Sequence, residues 1–193
     1  ESHWRTRALA WLTGFILYVG HTRRETPELV TLTEVNDVVN ADPDTFKRLV
    51  EEMAALPVGA VAETAAQIAR GAGSEETRNI LSNLVKGTAV WAWGKPLAQI
   101  ARQSSFVFED LYRGTTTVYL IVPEDKLTIY APFLRVMTGL ALNGVLRAGR
   151  ATVPPTERPL FLLDEAAALG YLEPLEKGMG YLRAYARAML IFQ

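Results

Sequence analysis

The stretch Arg158-Pro159-Leu160-Phe161-Leu162-Leu163-Asp164-Glu165 joins a continuous apolar run to two adjacent carboxylates. A run of that kind bounded by proline reads as a buried strand, and open α/β sheets place their chemistry just beyond the carboxyl ends of such strands. In nucleotide-hydrolysing folds the first acid of the pair holds Mg²⁺ and the second orients or activates a water. Asp164 is therefore a candidate metal ligand and Glu165 a candidate catalytic base. The same residues also suit a plainer role, in which Asp164 is a turn or N-cap acid that closes a core strand.

A phosphate-binding loop requires G-x-x-x-x-G-K followed by Ser or Thr, because glycine amides wrap the phosphates while lysine neutralises them. Gly94-Lys95 is followed by Pro96 and has Ala89 where the first glycine is needed, so it fails. Gly178-Met179-Gly180 has Arg183 in place of the third glycine of a dinucleotide fingerprint. These residues encode no nucleotide cradle. Two further side chains could serve phosphoryl transfer. Gln193 stands at the end of the next apolar run, on the strand edge that carries the acid pair, where it could sense a γ-phosphate. Arg183 precedes that run, and its guanidinium could stabilise charge on a phosphoryl group bound by its own chain or a neighbour's. A solvated arginine and a strand tail are the plainer readings.

Other candidates carry less. His3 and His21 sit at opposite ends of one helical pattern and read as its polar ends. Trp91 and Trp93 point to opposite sides of a helical segment, which favours packing over a base-stacking platform. Arg147, Arg150 and Arg158 flank a loop and read as a solvated cluster, with DNA or an adjoining subunit as the alternative. The absence of cysteine and the presence of only two histidines exclude disulfides, thiolate chemistry and nearly every zinc geometry.

The elements that must position these groups fall into two kinds. Residues 3–20 have the composition of a helix with apolar residues nearly all round, stopping at Gly20. From there to about residue 103 the pattern is helical throughout. Thr31 and Glu34 have capping-box spacing, Asp42-Pro43 is an N-cap with proline at the first helical position, and Ser74 precedes Glu75 and Glu76. Residues 58–70 are alanine-rich, and a short helix follows Pro96. At Ser104 the pattern changes. Phe106-Val107-Phe108 and Thr115-Thr116-Thr117-Val118-Tyr119-Leu120-Ile121-Val122 read as strands, followed by a helix over 132–147, a loop over 149–158, the acid-bearing strand, a helix over 172–182 and a terminal strand. Alternation of strand and helix is the signature of a parallel sheet with right-handed crossovers.

The chain has 193 residues, 49% of them apolar and 21% charged, which suits one sizeable core or a main domain with an insertion. The net charge of −1 gives no general attraction to nucleic acid or anionic lipid. Residues 23–103 carry nine basic and eleven acidic side chains, so that segment is no basic DNA-binding surface either. The longest apolar run, residues 8–19, is shorter than the ~20 residues a spanning helix needs. The start at Glu1 and the end inside an apolar run, Met189-Leu190-Ile191-Phe192-Gln193, read as those of a piece of a larger protein.

Three segments resemble the coupling ATPases of type IV secretion and conjugation, the TraG/VirD family. They are Asp110-Leu111-Tyr112-Arg113-Gly114-Thr115 through Pro123, Leu160 to Gly170 (LFLLDEAAALG), and Gly180-Tyr181-Leu182-Arg183-Ala184-Tyr185 leading into Ile191-Phe192-Gln193. The opening Trp4-Arg5-Thr6-Arg7-Ala8-Leu9-Ala10 also looks like the helix that precedes that family's all-α domain. The resemblance implies an α/β fold, a partial RecA-like parallel sheet of the P-loop NTPase type with an inserted all-α domain. It divides the chain into a helix of the nucleotide-binding domain (1–22), the inserted domain (23–103) and the C-terminal part of the nucleotide-binding domain (104–193). It makes Asp164 and Glu165 the Walker B pair, Arg183 the arginine finger and Gln193 the strand-end sensor. Arg183-Ala184-Tyr185-Ala186 departs from the glycine-richer turn of that family.

The resemblance further implies a parent that is a hexamer anchored at the cytoplasmic face of the bacterial inner membrane. With ATP and Mg²⁺ it would move single-stranded DNA and a relaxase or secreted protein into the channel, together with other secretion components. The all-α domain would engage the protein substrate. This piece, without a phosphate loop, is expected neither to bind ATP and Mg²⁺ tightly nor to hydrolyse ATP alone. Two other readings remain: a non-catalytic helical adaptor for a protein partner, and another RecA-like DNA translocase.

Overall fold

The computed structural model describes residues 2–151, 158–170 and 182–192. These are mostly helical, with one small parallel sheet. The chain divides into two compact units, Glu1–Gln103 and Ser104–Gln193.

The first unit is built from α1 (Ser2–Thr22), α2 (Leu32–Val39), α3 (Pro43–Ala55), α4 (Gly59–Arg70), α5 (Glu75–Thr88) and the short α6 (Pro96–Ile100). Local chemistry starts three of them. Thr31 Oγ1 accepts the Glu34 N–H, Asp42 accepts the Asp44 and Thr45 N–H groups ahead of Pro43, and Ser74 accepts the Thr77 N–H. The Asp42 bonds, that to Thr45 first, hold its carboxyl below the usual range. α1 runs past Gly20 to Thr22, whose hydroxyl donates to the Tyr18 carbonyl.

The core of this unit is threaded on α1. Trp11, Phe15, Tyr18 and Val19 are buried among Val35, Val38 and Val39 of α2, Met53 of α3, Val61, Ala65 and Ile68 of α4, and Ile80 and Leu84 of α5. α1 and α4 approach so closely that a Cβ on Gly14 would lie 2.2 Å from Thr64 Oγ1. Several polar groups inside are paired: Trp11 Nε1 donates to Gln67 at 3.1 Å, and Asn36 Nδ2 donates to Thr88 Oγ1 at 3.0 Å, which itself donates to the Leu84 carbonyl. The Tyr18 hydroxyl donates to Glu52 Oε2 at 2.7 Å.

The second unit contains α7 (Asp110–Arg113), the long α8 (Leu127–Ala151), β1 (Leu160–Leu163) and β2 (Arg187–Leu190). The strands pair in parallel, Leu160 with Arg187 through Leu163 with Leu190. Phe161 on β1 is buried with Tyr112, Leu182, Ala186 and the Ala141, Leu142, Val145 and Ala148 face of α8. Two glycines let neighbours reach the α8 backbone: a Cβ on Gly144 would lie 2.7 Å from Phe108 Cβ, and one on Gly149 would lie 2.3 Å from Tyr185 Cδ1. With the preceding turn, α8 (Glu124–Ala151) is long and apolar enough to cross a membrane. Its buried face is nevertheless occupied by the rest of the unit, as in the core helix of a domain.

Several sequence expectations for this unit are corrected. Phe106 and Phe108 are not in a strand; they stack edge to face at 5.2 Å, and Phe108 seats on Gly144. Residues 115–122 form no ladder among the described residues, and Tyr119 and Ile121 are exposed. β-branched and aromatic residues favour extended backbone, but a strand also needs a partner for its N–H and C=O groups. The α8 helix begins at Leu127 rather than Pro132, which it carries inside. It continues through Gly149 to Ala151, where a loop was expected. The helix expected over 172–182 lies outside the described residues except for Leu182.

Two predictions follow from this packing. Alanine at Gly14, Gly144 or Gly149 forces Thr64, Phe108 or Tyr185 aside and lowers stability by about 1–3 kcal/mol, whereas Gly20→Ala and Gly87→Ala, with open space around the new methyl group, are neutral or stabilising in thermal melts. The second concerns Tyr18, whose burial, followed by its hydrogen bond to Glu52 and that carboxylate's charge, raises its pKa from 10.0 to about 12. Folding favours the neutral phenol, so this contribution is complete below pH 10 and is lost as pH rises through about 12. Denaturation midpoints measured from pH 9 upward should therefore fall less steeply in Tyr18→Phe than in the unaltered chain.

Candidate functional site

The acid pair lies where a parallel sheet puts chemistry. β1 delivers Asp164 to its carboxyl end with the side chain exposed, while Glu165 behind it is half-buried. Glu165 has φ 51 and ψ 46, the left-handed region, and is the one non-glycine residue with positive φ among the described residues. An L side chain there costs roughly 1–2 kcal/mol, so the surrounding structure has to hold it.

It does so from several sides. Asp164 Oδ1 accepts the Glu165 N–H at 3.1 Å, which turns the first carboxylate back over the second residue's backbone. The Ala166 N–H donates to the Ile191 carbonyl at 2.9 Å, and the Ile191 N–H donates to the Leu163 carbonyl at 3.0 Å, so the extension of β2 clasps the turn. Ala166 and Leu169, in a 3₁₀ turn (Ala166–Leu169), are buried. Gly170 then takes φ 60 and ψ −150, a conformation essentially reserved for glycine. Arg135 of α8 donates from Nη1 to the Leu169 carbonyl at 3.1 Å and ties off the far end of the turn.

Arg135 was not singled out in the sequence, although the one charged residue between Leu127 and Leu146 of a long apolar helix is a legible signal. Its role depends on a contact 34 residues away, which no local pattern records.

Arg183 is exposed and stands at the other edge of the sheet. It precedes β2 by four residues, and its carbonyl accepts a hydrogen bond from Nη1 of Arg158, which precedes β1, at 2.6 Å. Because the strands are parallel, their amino ends share one edge and their carboxyl ends the other. From Leu160 to Asp164 the strand covers roughly 13 Å, so Arg183 and the acid pair are not brought together within the chain. Arg187 opens β2 at this same amino edge, making three exposed arginines there with Arg158 and Arg183. Gln193 lies outside the described residues; the backbone leading to it, Ile191-Phe192, runs toward the acid-bearing edge.

The remaining candidates separate clearly. Trp91 is buried, whereas Trp93 is half-exposed and donates its indole N–H to Asp37 at 2.5 Å, with the Arg102 guanidinium 4.9 Å from the ring centroid. Arg147 donates from Nε and Nη2 to Glu109 Oε1, at 2.9 and 2.6 Å, and so serves as an ion-pair partner; those hydrogen bonds keep the Glu109 carboxyl below the usual range. No group of three or more acidic, histidine or cysteine side chains suited to a metal occurs among the described residues. A groove of about 820 Å³ in the helical unit is lined by Leu9, Leu12, Asn79, Asn83 and Lys86 and holds none of the candidate catalytic groups.

The strained turn makes a prediction about stability. Glu165→Gly, which adopts the left-handed conformation freely, should raise the unfolding free energy of the chain by about 0.5–1 kcal/mol, net of glycine's own entropy. Glu165→Val, β-branched and intolerant of positive φ, should lower it; equal melting curves for both variants would contradict the strain.

The family model for type IV secretory system conjugative DNA transfer matches residues 1–193. The conjugal transfer protein TraG of Rhizobium radiobacter is 30% identical over 199 residues, covering 100% of this chain and 30% of that protein. TraG of Escherichia coli is 27% identical over 203 residues, 96% of this chain and 31% of the relative. Protein VirD4 of Agrobacterium fabrum is 34% identical over 103 residues, 52% of this chain and 15% of the relative. The chain thus spans between about a seventh and a third of the length of the curated relatives it matches. No solved structure matches it.

Proposed function

The chain belongs to the type IV secretory system conjugative DNA transfer family, and from that membership we propose that it forms part of an ATP-driven coupling protein. That protein recruits DNA with its relaxase or another protein substrate and moves them through the secretion channel from the cytoplasmic face of the inner membrane. Residues 104–193 are the C-terminal part of a RecA-like nucleotide-binding domain, residues 23–103 an inserted helical domain, and residues 1–22 a helix of the nucleotide-binding domain. The helical domain is the part that receives the protein substrate.

One observation carries this reading: a short parallel strand ends in Asp164-Glu165, and the turn that holds Glu165 is kept in a strained conformation by β2 and Arg135. Strain maintained by several independent contacts is a mark of functional turns. Magnesium ATP fits the acid side of such a site, since an exposed carboxylate at a strand end suits a hard, hydrated cation. Bound there, the ion would neutralise developing charge on the phosphates.

In this reading Asp164 holds the metal, and Glu165 orients or deprotonates the attacking water. Arg183 lies at the opposite edge from its own acid pair, which supports its acting on a nucleotide bound by a neighbouring copy in the assembled ring. Gln193, at the end of the segment that clasps the acid turn, is proposed as the γ-phosphate sensor. The phosphate cradle belongs to residues not in this sequence, because no phosphate-loop pattern occurs in it.

Glu165→Gln in the full-length parent should reduce ATP turnover by about 100-fold or more, the scale of losing a general base, and reduce plasmid transfer with it. The chain of 193 residues alone should show no turnover above background. Unchanged transfer by the Gln variant would favour the adaptor reading instead. Activity of the isolated chain, abolished by Glu165→Gln, would contradict the assignment of the phosphate cradle to other residues.

A further inference from the structure

The turn that carries Arg183 is fixed on every side except the one that Arg183 itself presents to solvent. Leu182 before it and Ala186 after it are buried, at 3% and 2% exposure. The Tyr185 and Ala186 N–H groups both donate to the Leu182 carbonyl at 2.8 Å, closing the turn on itself. The Tyr185 ring rests on the bare backbone of Gly149 in α8. The Arg187 N–H then donates to the Pro159 carbonyl at 2.8 Å, so the ladder with β1 begins directly after the turn.

What these contacts leave loose is the outer arc, Arg183 and Ala184, which are exposed. Among the described residues, the donor to the Arg183 carbonyl on that arc from another part of the chain is Arg158. The residue stands one position before Pro159, so the start of the ladder sets it beside the turn, and its Nη1 reaches the Arg183 oxygen at 2.6 Å. Fixing the carbonyl fixes the peptide plane between Arg183 and Ala184, and with it the backbone at the Cα from which the Arg183 side chain leaves.

We propose that Arg158 is a positioning residue that holds the Arg183 turn in the orientation from which the Arg183 guanidinium reaches a phosphoryl group on a neighbouring subunit. The inference rests on the role proposed above for Arg183. Its energetic signature differs from that of a structural residue. An exposed hydrogen bond adds little to global stability, whereas a misdirection of about 1 Å at a catalytic group can cost as much as 100-fold in rate. Arg158 therefore acts on turnover and not on folding.

The test uses the full-length parent protein, with steady-state ATP hydrolysis measured in the presence of single-stranded DNA. Arg158→Ala should lower kcat about tenfold while leaving the KM for ATP within about twofold and the melting temperature within about 2 °C. Arg158→Lys, which keeps a donor on a long side chain, should recover most of the loss. The variant combining Arg158→Ala with Arg183→Ala should turn over no more slowly than Arg183→Ala alone, because a residue acting through another adds nothing once that other is gone.

If Arg183→Ala is slow but Arg158→Ala matches the unaltered protein, or if the two losses multiply in the combined variant, the positioning role is wrong while the reading of Arg183 stands. If Arg183→Ala itself turns over normally, the reading of Arg183 fails and the inference falls with it.

Discussion

Parallel pairing of β1 with β2 is the contact from which the arrangement of the C-terminal unit follows. Parallel strands send both carboxyl ends to one edge of the sheet and both amino ends to the other. That single fact separates the acid pair from the three arginines, and it places the extension of β2 where its backbone can clasp the Glu165 turn. It also turns Phe161 toward α8, whose glycines accept Phe108 and Tyr185 against the bare helix. Shifting the register by one residue would expose Phe161 and bury Leu160 and Leu162 in its place. The register is held because one face of β1 finds a core and the other does not.

The helical unit is organised on a different rule. An α1 with apolar residues nearly all round serves as the axis, and four shorter helices bury their stripes against it. Trp11 with Gln67 and Asn36 with Thr88 pair inside the unit, and α2, α3 and α5 carry their own side-chain caps. The unit therefore satisfies most of its own chemistry from within. The acid turn, by contrast, depends on three separate elements, β1, the β2 extension and α8, for its shape.

What the sequence made legible tracks this difference. Thr31, Asp42-Pro43 and Ser74 marked helix starts correctly because a cap is decided within four residues of chain. The strand ending in Asp164-Glu165 was legible for the same reason. Residues 106–108 and 115–122 misled, since their composition specifies extended backbone but says nothing of whether a partner strand is at hand. The left-handed conformation of Glu165 has no local signature, because glutamate is not a residue that chooses it; contacts from Ile191 and Arg135 impose it. The place of Arg183 at the amino edge became visible only through the register of two strands some two dozen residues apart, and Arg158 only through Arg183.

The central claim is that the acid pair and Arg183 work on one nucleotide from two different subunits, because one sheet holds them at opposite edges. Mixing two inactive full-length variants, Glu165→Gln and Arg183→Ala, tests it most directly. If the groups act across an interface, some interfaces in a mixed ring combine an intact Glu165 with an intact Arg183, and ATP hydrolysis should reappear at up to about a quarter of the unaltered rate, the random-mixing fraction of competent interfaces. If both groups serve the site of their own subunit, no mixture contains a complete site, and activity that stays at the level of the separate variants would contradict the account.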